Sequence, residues 1–196
     1  MPTHPSSSPV RKIIRWPGRR KLARWATALH EAGHMVAYRE LCRTWASGRV
    51  FGYGGTGGVS YHGTPQGDVF GDLVAVKCGE VAGGFAEWLP VPAGRPRRIR
   101  GALPPTPSDD VQIDRYIERL NREADRTDAP HISPLAVERA AALFVRDNLG
   151  DIIQIAERLF LSGRAFVPAP PKQKQGAASV SSAEFTRIAA SAAKGN

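Results

Sequence analysis

The chain has 196 residues, 27 Lys+Arg against 18 Asp+Glu, a formal net charge of +9 and a pI near 10.1. At 42% hydrophobic and 23% charged the composition excludes wholesale disorder, and no run approaches the ~18 apolar residues of a membrane span. There is no apolar signal segment at the start, and two cysteines, Cys42 and Cys78, make no disulfide framework, so a cytoplasmic protein is expected.

The charge is concentrated. Residues 1–24 hold seven basic side chains and no acidic one, and Arg95, Arg97, Arg98 and Arg100 form a second run. The other 16 basic residues stand against 18 acidic ones, a nearly neutral body. The Pro/Ser-rich start and the basic run read as a flexible tail over residues 1–20. Residues 11–24 offer a contact for an acidic partner or nucleic acid, against the plainer reading of a solvated tail.

In chain order, apolar Leu22, Trp25, Ala26, Leu29, Val36, Ala37 and Leu41 predict a helix over 21–46. Nine glycines in 48–71 mark a β element, and 69–89 reads as a helix whose small residues admit a close neighbour. Six prolines in 90–107 form a loop. Ser108 and Asp109 open a third helix, and Ser133-Pro134 opens a fourth that runs to Asn148. Gly150 kinks or ends it before 151–161. The Pro168–Pro171 stretch starts a linker, and Ser181 or Ser182 opens a short last helix carrying Phe185 and Ile188. The expected fold is α+β and predominantly helical: about five helices with a small Gly-rich β element. The domain spans 21–166, followed by the linker and short helix of 167–196.

The chemistry sits in His30-Glu31-Ala32-Gly33-His34. Histidines at i and i+4 stack on one helix face, so both imidazoles reach one ion, and neutral imidazole suits Zn²⁺. Glu31 points about 100° around the axis from His30, where it meets a water rather than the metal. The H-E-x-x-H pattern arises by chance in roughly 0.6% of sequences of this composition and length, so accident is a poor explanation. A hydrolytic zinc needs a third ligand and an open fourth position. By residue type the third is one of His62, Asp68, Asp72, Glu80, Glu87, Asp109, Asp110 or His131. Asp109 and Asp110 stand out where a long loop enters a helix, although plain N-capping explains them equally well.

The blocks ALHEAGHMVAY, VFGYGGTGGVSYH, CGEVAGGFAEWL and PSDDVQIDRYIERL resemble, in order, those of the FtsH-type ATP-dependent zinc metallopeptidases, over residues 22–162. The resemblance implies a zinc endopeptidase with Glu31 as general base. It implies His30, His34 and Asp110, rather than the neighbouring Asp109, as metal ligands. It also suggests that Glu87 orients a ligand; the competing reading is a solvent-facing glutamate. The family's ATPase is not expected here, since no G-x-x-x-x-G-K-[ST] loop occurs and 20 residues precede the zinc helix. A separate unfoldase or adaptor, or accessible unfolded segments, would then supply the polypeptide substrate.

Gly52–Gly57 matches the dinucleotide pattern G-x-G-x-x-G, but the alternating Gly58–His62 that follows predicts a strand instead of the required helix. Gly58, Val59 and Ser60 are candidates for main-chain pairing with an extended substrate, against a strand with packing duties alone. Cys42 and Cys78 read as buried thiols, His131 as a surface residue, and Trp25, Trp45 and Trp88 as core or groove-lining. The sequence therefore predicts a zinc endopeptidase. The alternatives are a non-proteolytic zinc-containing binding module, a nucleic-acid-associated protein using the basic tail, and a zinc peptidase of the repressor-cleaving type.

Overall fold

The computed structural model describes residues 18–52, 56–62, 69–97, 99 and 108–171. The tail before residue 18 and the expected helix near Phe185 lie outside them. The elements are α1 (Arg19–Glu40), β1 (Trp45–Phe51), β2 (Thr56–His62), α2 (Val69–Gly84), a 3₁₀ turn (Phe85–Glu87), α3 (Asp109–Thr127), α4 (Pro134–Asp147), α5 (Leu149–Ser162) and β3 (Arg164–Val167). Among the described residues, five helices and a small sheet make the predominantly helical α+β fold that the sequence predicts. No helix among the described residues is long and apolar enough to cross a membrane.

α1 forms the centre of the core, burying Trp25, Ala28, Leu29, Ala32, Met35 and Val36 along one side. It stops six residues short of the expected Ala46. Arg43 enters the left-handed region at φ 55°, the Thr44 N–H turns back to the Tyr38 carbonyl, and strand pairing claims Trp45 onward. β1 is the middle of an antiparallel sheet ordered β2-β1-β3. Gly48 on its inner face lies against Met35 of α1 and Leu159 of α5. β3 has no counterpart in the sequence reading: four residues are too short for a periodic signal, and only the pairing with β1 makes them a strand. It extends the folded body to Val167, as α1 extends it back to Arg19.

α2 lies along α1, the small residues Gly33 and Ala82 meeting at the contact. α2 passes at Phe85 into a 3₁₀ turn, closed by the Trp88 N–H on the Phe85 carbonyl. The turn leaves Trp88 83% exposed, which overturns its expected place in the core or a groove. Trp25 is buried edge-on against Phe160, and Trp45 sits half-buried on the sheet. α3 packs through Ile113 and Ile117 on α2, α4 starts with Pro134 in its first turn, and α5 ends at Gly163 (φ +77°). Both cysteines are buried, as expected.

Arg24 corrects the reading of the basic run. It is fully buried, and its guanidinium donates to the carbonyls of Phe160 (2.8 Å), Arg97 (3.0 Å) and Gly52. One side chain thus ties the end of α5, the Pro/Arg loop and the turn after β1 to the central helix. The planar fork of arginine suits three divergent acceptors, which an ammonium does not. Arg19, Arg20 and Lys21 remain exposed on the first turn of α1. Arg24→Met leaves three carbonyls short of a donor and is expected to cost about 3–5 kcal/mol. The check is the urea midpoint at unchanged m-value; a shift under about 1 kcal/mol contradicts this role.

Candidate metal centre

One turn of α1 places His30 and His34 on the side that faces α2 and the start of α3. Their rings stand edge to face, with centroids 4.6 Å apart and planes at 86°, and the two Nε2 atoms are 3.0 Å from each other. The third member is Asp109, the first residue of α3. Its Oδ2 lies 2.9 Å from His30 Nε2 and 3.0 Å from His34 Nε2. These three residues form the group among the described ones that could hold a metal ion.

The donor chemistry fits a cation. The His34 Nδ1–H donates to the Ala75 carbonyl on α2 at 3.0 Å, which fixes the tautomer and leaves Nε2 with a lone pair. That lone pair faces a carboxylate oxygen at hydrogen-bond distance, an arrangement that needs a positive charge between the two. Burial alone would raise the Asp109 pKa. Donation from the two imidazoles in their protonated form outweighs it and holds the carboxyl well below the usual range, and a cation bound to their neutral forms would supply the same pull. A tetrahedral ion with bonds of about 2.0–2.1 Å holds its ligand atoms about 3.3 Å apart, close to the separations found here. Side-chain exposure is 9% for His34 but 32% for His30 and 27% for Asp109. The cluster is therefore anchored on one side and open to solvent on the other.

Asp110 does not join the histidines. Helical rotation carries it about 100° away from Asp109, where it is exposed and accepts from Lys77 Nζ at 3.0 Å beside Glu80. Asp109, not the Asp110 implied by the family resemblance, is the residue that the fold brings to the two histidines. Glu87 is also placed elsewhere: the 3₁₀ turn that ends α2 leaves it exposed, with no bond to His30, His34 or Asp109. Among the other acidic and histidine candidates, His131 is exposed and paired with Asp125 at 2.7 Å. Glu80 pairs with Lys77, and Asp72 accepts from the Cys42 thiol at 3.8 Å. Asp68 and the side chain of His62 lie outside what is described.

Glu31 is 5% exposed on the adjacent side of α1. Burial pushes its carboxyl up, His30 opposes and Asp109 adds to the rise, and the result is about 7. A Cβ on Gly57 of β2 would stand 2.5 Å from Glu31 Oε1, so the strand backbone lies directly against this carboxyl. The G-x-G-x-x-G match falls across the antiparallel β1–β2 connection, with a strand following it. The helix N-terminus required for a pyrophosphate is not what comes next.

Sequence reasoning missed the Ala75 carbonyl and Gly79. A Cβ at Gly79 would collide with the His34 ring, so α2 needs glycine where it backs the imidazole. The only signal was the small-residue composition of 69–89. Gly79→Ala is expected to displace the ring and weaken metal binding at least about 10-fold. Titration against a competing chelator checks this, and unchanged affinity excludes the backing role.

Comparison of the chain with protein-family models, curated proteins and solved structures finds no match.

Proposed function

We propose that this protein is a zinc-dependent endopeptidase. The reading is carried by the convergence of two imidazole nitrogens and one carboxylate oxygen at about 3 Å, beside a buried glutamate. Two histidines and one carboxylate form a donor set suited to zinc, and three protein ligands leave the fourth position for water or substrate. Bound there, zinc would acidify a water and polarise a scissile carbonyl. His30, His34 and Asp109 would hold the ion, with the Ala75 carbonyl keeping His34 in the correct tautomer. Glu31 then takes the proton released as water attacks and passes it to the leaving amine.

β2 supports a polypeptide substrate. It is an outer strand of the sheet, and Gly57 brings it against Glu31. Gly58, Val59 and Ser60 would pair with an extended chain through main-chain hydrogen bonds, carrying the scissile bond past the exposed side of the cluster. The order of sequence blocks agrees with an FtsH-type peptidase, with Asp109 in place of Asp110. Substrate would arrive as unfolded chain or through a separate unfoldase or adaptor.

The test is hydrolysis of unfolded casein by the zinc-loaded protein. Peptide release that a chelator stops and added zinc restores is the expected result. Stoichiometric zinc without cleavage would instead make the protein a metal-containing binding module.

A further inference from the structure

The sheet has a second face, turned away from α1 and α5. Along β1, buried Ala46, Gly48 and Val50 alternate with Trp45, Ser47 and Arg49 on the outside. β3 adds Phe166 opposite Ser47 and Arg164 opposite Arg49. The Trp45 and Phe166 rings touch, with centroids 5.7 Å apart, yet Phe166 is 57% exposed. The Val50 N–H donates to the Gly163 carbonyl, which makes Arg49–Arg164 a non-hydrogen-bonded pair, the type with the closest side chains. Both arginines are exposed, and among the described residues neither makes an ion pair. Like charges directly opposite one another destabilise a sheet, so the fold itself gives no reason for this pair. On β2, the small residues Gly58 and Ser60 stand opposite Arg49 and Ser47, and His62 stands opposite Trp45.

We infer that this outward face binds single-stranded nucleic acid, with a base stacking on Phe166 beside Trp45 and phosphates meeting Arg49 and Arg164. An exposed aromatic face such as that of Phe166 accepts any base, and guanidiniums without a carboxylate complement a polyanion. Trp45 and Arg49 are four residues apart, about 13 Å along the strand, enough for a short run of nucleotides. The site is separate from the metal centre, which lies on the other side of the sheet with α1.

Fluorescence anisotropy of the full chain with a labelled oligothymidylate of about 12 nucleotides at low salt tests this. The unaltered protein binds. Phe166→Ser weakens binding about 5–150-fold, the loss of one stacked base. Arg49→Gln and Arg164→Gln each lower the slope of log K against log salt by about 0.7. Both arginines are exposed, so these variants keep the fold if the aromatic one does not. Three results overturn the inference. They are no binding at low salt, binding by all three variants equal to that of the unaltered chain, or a dimer that Phe166→Ser turns into a monomer.

Discussion

Glu31→Gln is expected to lower peptide hydrolysis by about 10²–10⁴-fold while zinc content stays unchanged. The same substitution should stabilise the metal-free protein, in a pH-dependent way. The Glu31 carboxyl lies at about 7 in the fold against an ordinary 4.5, because burial disfavours its charge. Between those values the folded chain binds more protons than the unfolded one, so stability falls as pH rises through the window. The cost is absent below about pH 4.5 and complete above about pH 7, where it amounts to about 3 kcal/mol. Glutamine has the same shape without the titration. The two metal-free proteins should therefore be similar in stability at pH 4.5, with the variant ahead at pH 8. Urea unfolding at both values measures the difference, and parallel pH profiles would show that Glu31 is not held in this environment.

The second large effect separates neighbouring carboxylates. Asp109→Asn removes the anionic member of the cluster, and zinc affinity is expected to fall about 100-fold or more, with activity falling alongside it. Asp110→Asn breaks only an exposed ion pair with Lys77, worth under about 1 kcal/mol, and should leave zinc stoichiometry intact. Competition titrations on the two variants decide between them. Loss of metal in the Asp110 variant alone would return the ligand role to that residue and discredit the geometry at the start of α3. Loss in both variants equally would point to a disturbed helix start.

The hydrophobic periodicity of residues 22–41 and the i, i+4 histidines are local features, and they specified α1, its buried side and the pairing of His30 with His34. Helix geometry alone makes two residues one turn apart share an ion, so this half of the centre needs no tertiary information. Glycine punctuation likewise located the β element, and the capping residues Ser108, Asp109 and Ser133-Pro134 located the starts of α3 and α4. The third member of the cluster is different. Asp109 is 75 residues from His34 in sequence, and adjacent aspartates are alike in composition, capping preference and charge. Only the angle at which α3 meets α2 decides which of them faces the histidines. The same holds for Arg24, which reads as one more charge in a basic run until three carbonyls from distant segments close around it. The four residues of β3 become a strand solely because β1 has an edge to pair with. Sequence determined whatever depends on neighbours within a turn of helix. The tertiary structure decided which member of a chemically equivalent set points inward, since that depends on the packing of elements far apart in the chain.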